Sequence, residues 1–266
     1  MPQLQANGCE FHVAVDGPVD APCLVLSNSL GSSLEMWAPQ VDAFARHRRV
    51  LRYDTRGHGR SAVTRGPYSI ELLAEDVLRL LDAAGIERAD FCGLSMGGAT
   101  GIWLAAHAPE RFDRFVFCNT VPWLGAADAM LARAAIVRRD GLGGLVDATM
   151  ERWFTAEFRE REPRTVAAVR ASFLATPPEG YAACCEALAG FDERDMLAAI
   201  ERPVLVVAGL QDPAPPLEAA REYAAKITGA RIVELPAAHL SNLGAAARFN
   251  AEVLNFLGDR SLAQAT

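Results

Sequence analysis

The chain has 266 residues, 51% of them hydrophobic and 22% charged, the balance of an ordinary globular protein long enough to bury a full core. A formal net charge of −7, with no basic stripe, argues against a nucleic-acid partner. No apolar run approaches the roughly 20 residues of a membrane span, and Met1-Pro2-Gln3-Leu4-Gln5 shows no basic segment leading into an apolar one. A cytoplasmic protein without membrane association is therefore expected.

Short apolar, β-branched runs alternate with helical patterns, the signature of a largely parallel sheet covered by helices. Phe11 to Val15 and Cys23 to Ser27 read as strands, the second buried on both faces. Trp37, Val41 and Phe44 then recur at helical spacing, and Val50 to Tyr53 is the next strand. Ile70, Leu73, Val77, Leu80 and Leu81 mark a long amphipathic helix that stops at Gly85. Asp90 to Cys92 is a strand, Met96 opens a helix that ends near His107 before Pro109, and Phe115 to Cys118 is another strand.

The alternation then fails. From about Leu124 to Leu197 the pattern is helical and rich in Ala and Arg, with breaks at Gly141 to Gly144 and at Pro177-Pro178. Strand signals resume at Val204 to Ala208 and Ile232 to Leu235, and a last helix covers roughly Ala246 to Leu257. A helical insertion between two strands of one sheet accounts for this better than a separate helical domain, because neither half would bury its sheet alone.

Six cysteines raise the question of metal or disulfides. Cys9, Cys23, Cys92 and Cys118 fall in strands, Cys184 and Cys185 are adjacent in a helical stretch, and there is no C-x-x-C pair. We expect buried reduced thiols and no metal site.

Gly93-Leu94-Ser95-Met96-Gly97 is G-x-S-x-G between an apolar strand and a helix. Glycines around the serine let the backbone take a sharp turn that projects the hydroxyl from the end of the sheet. The helix beginning at Met96 aims free N–H groups at the same point. Ser95 is thus the expected nucleophile, and a hydroxyl needs a base within hydrogen-bond reach. Of the five histidines, His12 lies in an early strand, His47 and His107 near helix ends, and His58 in a loop. His239 follows the last strand and alone satisfies the order Ser, acid, His. The acid should sit at a strand end between the two. Asp212 meets this after Val204 to Ala208, whereas the place after the preceding strand holds Asn119. Its task is to fix the imidazole tautomer and stabilise the cation, not to take the proton. The loop Ser27-Asn28-Ser29-Leu30-Gly31 should supply the second oxyanion donor, so the N–H groups of Leu30 and Met96 are assigned to the hole.

Gly57-His58-Gly59-Arg60-Ser61-Ala62 fits the dinucleotide fingerprint G-x-G-x-x-A. It stands too far from the end of its strand, and Gly66-Pro67 blocks a helix where a phosphate would need one. No nucleotide and no other cofactor is expected.

With Asp54-Thr55-Arg56-Gly57-His58-Gly59-Arg60-Ser61 before the second core helix, and the serine, acid and histidine in matching places, the whole chain resembles the α/β-hydrolases. The resemblance implies a mostly parallel eight-stranded sheet flanked by helices, with a helical cap inserted after the sixth strand. Residues 1–123 and 198–266 would form the core and 124–197 the cap. Ser27-Asn28-Ser29-Leu30-Gly31 in place of the usual His-Gly, with Gln211-Asp212-Pro213 and the segment Pro236 to Asn242, is similar to the 3-oxoadipate enol-lactonases of aromatic catabolism, in the β-ketoadipate pathway. That likeness implies a small anionic lactone as substrate. A carboxylesterase or a carbon–carbon bond hydrolase of the same fold is the alternative, and a non-enzymatic receptor is a third. Haloalkane dehalogenation is excluded, because it needs a carboxylate where Ser95 stands.

An anionic substrate under an apolar cap needs a cation, since burying the charge alone costs several kcal/mol. Among Arg133, Arg138, Arg139, Arg152, Arg159, Arg161, Arg164 and Arg170, the first choice is Arg133, which lies in the apolar stretch from Ala129 to Val137. Trp123 and Trp153 are expected as walls for the flat ring, and Ser29 as a further contact.

Overall fold

The computed structural model describes residues 3–258. Met1 and Pro2, on which the reading of the N-terminus partly rests, and 259–266, assigned above to the core, lie outside the described residues. Continuous apolar runs make strands that are covered on both faces. Every residue of β3 (Cys23–Ser27), β5 (Ala89–Leu94) and β7 (Val204–Gly209) is buried. With β1 (Gln3–Ala6), β2 (Cys9–Asp16), β4 (Arg49–Tyr53), β6 (Phe112–Cys118) and β8 (Arg231–Leu235) they form one eight-stranded sheet in the order β1-β2-β4-β3-β5-β6-β7-β8. From β4 to β8 along this order the pairing is parallel, and β1 and β2 are antiparallel additions at one edge. Seven of the strands follow from the apolar runs. The eighth, β1, is only four residues long with Gln3 and Gln5 exposed at the sheet edge, so it alternates too briefly to form an apolar run.

Strand order places the site. β3 is flanked by β4 on one side and β5 on the other, with Ser27 paired to Gly93 across the second boundary. The chain therefore leaves β3 in one direction along the sheet and leaves β5 in the other. Right-handed crossovers send the following helices, α1 (Ala38–Phe44) and α3 (Met96–His107), to opposite faces, and a crevice opens at the carboxyl ends of β3 and β5.

The flanking helices obey their sequence periodicity. α2 (Ile70–Ala83) buries Ile70, Leu73, Ala74, Val77, Leu80 and Leu81 on one stripe. Its N-terminus is capped by Ser69, whose hydroxyl accepts the Leu72 N–H at 3.0 Å. α2 packs on α3, and α1 packs on the last helix, α11 (Ala246–Leu257), where the rings of Trp37 and Phe249 lie 6.1 Å apart. Between β6 and β7 come α4 (Ala127–Asp140), α5 (Val146–Trp153), α6 (Ala156–Arg161), α7 (Pro163–Leu174) and α8 (Pro178–Ala189), the helical insertion that the broken alternation requires. Its expected breaks fall at Gly141, which ends α4 with a φ of 73°, and at Pro177-Pro178. α9 (Leu217–Ala224) and the short α10 (Ser241–Gly244) complete the set.

No described helix is long and apolar enough to cross a membrane. All six cysteines are buried and unpaired.

Candidate active site

Ser95 alone makes the turn from β5 into α3, at φ 56° and ψ −112°, a backbone conformation that residues with a Cβ avoid. The neighbouring glycines make it possible by close packing. A Cβ on Gly93 would stand 2.1 Å from the Gly97 oxygen, and one on Gly97 would stand 2.2 Å from the Ser27 oxygen. Three hydrogen bonds fasten the elbow: Ser95 N–H to Cys118 O at 2.8 Å, Gly97 N–H to Asn28 O at 2.9 Å, and Thr120 Oγ1 to Ser95 O at 2.9 Å.

Asp212 lies in the loop after β7 and is buried. Its Oδ2 accepts from His239 Nδ1 at 2.8 Å and from Asn119 Nδ2 at 2.9 Å, while Oδ1 accepts the Ala214 N–H at 3.0 Å. Burial works to raise the pKa of this carboxyl. The charge and hydrogen bond of His239, with the donors from Asn119 and Ala214, outweigh burial and hold it below the ordinary carboxylate value. A carboxylate only accepts, so Nδ1 of His239 donates to it, and in the neutral ring Nε2 is the nitrogen that can take a proton. That Nε2 is buried and makes no hydrogen bond among the described residues. His239 and Ser95 line the same cavity, of about 250 Å³. The loop carrying His239 is tied down by Leu240 N–H to Trp153 O at 3.1 Å and Asn242 Nδ2 to Met36 O at 2.8 Å.

In the loop after β3, the Ser29 N–H points at Met36 Sδ (3.4 Å) and the Gly31 N–H at His58 Nε2 (2.9 Å). The N–H groups of Leu30 and of Met96 have no acceptor among the described residues. These are the two expected oxyanion donors.

His58, in the loop after β4, has another occupation. Burial drives its pKa down to about 4, and its Nδ1 lies 3.3 Å from Arg56 O, so the ring is a neutral acceptor for Gly31. The surrounding glycine-rich run is organised around a carboxylate. Asp54 accepts from the Leu34 N–H (2.7 Å), the Arg60 N–H (2.8 Å) and His12 Nδ1 (2.9 Å). A negative charge already fills the cradle that a nucleotide phosphate would need, which is a second reason against the dinucleotide reading. His107 approaches Glu193 at the surface.

The cavity walls are apolar, made by Leu30, Val121, Leu124, Met130, Leu188 and Phe191, with Ser29 at the edge nearest the oxyanion loop. Into this lining come two guanidinium groups, those of Arg133 and Arg152. Of the other arginines on α4 to α8, Arg159 and Arg164 also lack a carboxylate partner among the described residues but do not line this cavity, and the remaining four are paired. Arg138 pairs with Glu179 and Glu186, Arg139 with Asp140, Arg161 with Glu157, and Arg170 with Asp147. Among the described residues no carboxylate pairs with Arg133 or Arg152. Arg133 has only the Tyr181 hydroxyl, at 3.4 Å. Burial, and then repulsion from Arg133, lower the pKa of Arg152. In the sequence Arg133 is the first choice of the eight, and nothing around Glu151-Arg152-Trp153 distinguishes Arg152 from the surface arginines.

The two tryptophans fall elsewhere. Trp153 is 1% exposed, packs edge-on against Phe173, and does not line this cavity. Trp123 is 46% exposed, with the Arg194 guanidinium 3.9 Å above its ring. Packing accounts for both, and neither walls the site. Among the described residues no three His, Cys, Asp or Glu side chains gather as a metal centre would require.

Comparison with known proteins agrees with this geometry. The model of the α/β hydrolase fold family matches residues 22–246. The chain is 43% identical over 247 residues to 3-oxoadipate enol-lactonase 2 of Acinetobacter baylyi, covering 93% of this chain and 92% of the relative. It is 33% identical to a putative carbamate hydrolase of a Caulobacter strain, covering 93% and 95%. The crystal structure of the enol-lactonase from Burkholderia xenovorans LB400 superimposes with a TM-score of 0.95 at 48% identity, covering 97% of this chain and 100% of that one. By fold, by elbow and by descent, the chain belongs to the α/β-hydrolase family, as a hydrolase similar along nearly its whole length to the enol-lactonases.

Proposed function

We propose that the protein hydrolyses 3-oxoadipate enol-lactone to 3-oxoadipate through a Ser95-His239-Asp212 triad. The observation that carries this reading is the pair of guanidinium groups, Arg133 and Arg152, left without carboxylate partners in the apolar cavity that Ser95 and His239 share. Two cations without carboxylate partners in an apolar cavity suit an anionic ligand, and the lactone presents an acetate arm. Similarity to named enol-lactonases points to the same substrate.

In this reading Ser95 Oγ attacks the lactone carbonyl while His239 Nε2 takes its proton, and Asp212 stabilises the resulting imidazolium. The tetrahedral oxyanion rests on the Leu30 and Met96 N–H groups. Collapse breaks the ring C–O bond, and the departing enolate oxygen takes the proton from His239 to give an enol, which tautomerises to the ketone. Being a far better leaving group than an alkoxide, the enolate asks little of the general acid. A water deprotonated by His239 then releases the second carboxylate from Ser95. The chemistry needs no cofactor.

The test compares kcat/KM for the enol-lactone with that for a neutral aryl ester of similar size. A lactone preference of at least a hundredfold supports the proposal. Equal or greater efficiency on the ester would make the protein a carboxylesterase of the same fold.

A further inference from the structure

β6 ends at Cys118, and the next residue, Asn119, takes a φ of 47°. Asn is one of the few residues with a Cβ that accept this region. Its N–H bonds Val207 O on β7 at 2.8 Å, and its side chain is buried. From there one amide group reaches both loops that carry the acid and the base. Nδ2 donates to Asp212 Oδ2 at 2.9 Å and approaches Ala238 O at 3.4 Å, while Oδ1 accepts from Ser241 Oγ at 2.5 Å. Ala238 and Ser241 bracket His239 in the chain. The orientation of the amide is fixed by chemistry. Turned over, it would set its oxygen against the Asp212 carboxylate, two acceptors with no proton between them.

We propose that Asn119 is a positioning residue of the triad, acting through Asp212. The carboxylate oxygen that receives His239 Nδ1 also receives Asn119 Nδ2. Two donors on one oxygen fix the carboxylate plane, and with it the direction from which the imidazole is held. Without Nδ2, the anchors left to the carboxylate among the described residues are the imidazole itself and the Ala214 N–H on Oδ1, so the plane of the carboxylate is less firmly fixed. Asn119 also draws off part of the negative charge that would stabilise an imidazolium. What it supplies is geometry, and misalignment by a fraction of an ångström is costly in turnover. Ser241 holds the amide in its working orientation.

This inference rests on the triad reading and not on the identity of the substrate, so the test uses a neutral aryl ester. It is a double-mutant cycle on single-turnover acylation with Asn119→Ala, Asp212→Ala and the double variant. Asn119→Ala should lower the acylation rate about tenfold, or ~1.4 kcal/mol, with KM changed less than twofold. In the Asp212→Ala background the same change should cost less than about twofold, since no carboxylate remains to be held. Ser241→Ala leaves the strained backbone at 119 untouched and should reproduce a threefold to fivefold part of the loss, again only when Asp212 is present. If Asn119→Ala does not fold, the Ser241→Ala cycle decides alone. Equal fractional losses in both backgrounds, a loss confined to KM, or no loss would each overturn the proposal. Ser95→Ala serves as the control: if it retains the wild-type rate, it is the triad reading that fails.

Discussion

The Nε2 atom of His58 accepts the Gly31 N–H at 2.9 Å, so a buried neutral imidazole holds the residue next to Leu30, the proposed oxyanion donor. Protonation would turn that acceptor into a donor facing a donor. The folded-state pKa of about 4 lies below the ordinary 6.5. The stability this neutral ring represents is therefore complete above pH 6.5 and is lost as the pH falls towards 4, because the unfolded chain takes up the proton first. Between pH 7 and pH 4.5 the wild type should lose about 2–3 kcal/mol more than His58→Phe does. Urea unfolding of both proteins at the two pH values measures the difference. An identical pH dependence in both would show that His58 is not held neutral.

Ser95 pays for its position in backbone strain, and the strain can be separated from the chemistry. Ser95→Ala and Ser95→Gly both remove the proposed nucleophile and should lower hydrolysis by several orders of magnitude. Only glycine relieves the φ of 56°. Ser95→Gly should therefore unfold at a free energy about 1–2 kcal/mol above that of Ser95→Ala. Calorimetry of the two variants decides, and equal stability would mean that the turn is unstrained.

Arg133→Ala and Arg152→Ala should each lower kcat/KM for the anionic lactone about ten- to a hundredfold, the loss of one charge-assisted hydrogen bond. A neutral aryl ester should lose less than threefold. Equal losses on both substrates would assign the arginines to cap support.

Arg152→Met tests the same pair from the side of stability. An unpaired cation at a half-buried site is unfavourable, so the apolar replacement should stabilise the free protein by about 1 kcal/mol while impairing turnover of the anion. A destabilised Arg152→Met would point to a structural partner for the guanidinium.

Much of this was legible in the sequence, for identifiable reasons. Parallel strands buried on both faces read as unbroken apolar runs, so β3, β5 and β7 announce themselves, while the edge strand β1, with Gln3 and Gln5 exposed, does not. Ser95, Asp212 and His239 stand at strand ends, where chain order and loop position narrow the choice. The residues that escaped act across the fold. His58 meets Gly31 from 27 positions away and Asn119 meets Asp212 from 93, and no local pattern encodes such a contact. Trp153 and Trp123 show the converse, since an aromatic residue in a cap is conspicuous in sequence whether it faces a ligand, a neighbouring ring or solvent.

Gly31 presses against the cap. A Cβ there would come within 2.8 Å of the Phe173 ring and 3.0 Å of the Tyr181 ring, and Tyr181 in turn holds Arg133. Both aromatic rings thus flank the loop that carries the proposed oxyanion donor, and Tyr181 also meets the cation proposed to read the substrate. Selectivity and rate consequently share a mechanical part. Grafting a foreign cap to change the substrate should also disturb the backbone proposed to stabilise the transition state. Chimeras should fail in kcat unless the two rings travel with the oxyanion loop, which makes 29–31, 173 and 181 one heritable unit.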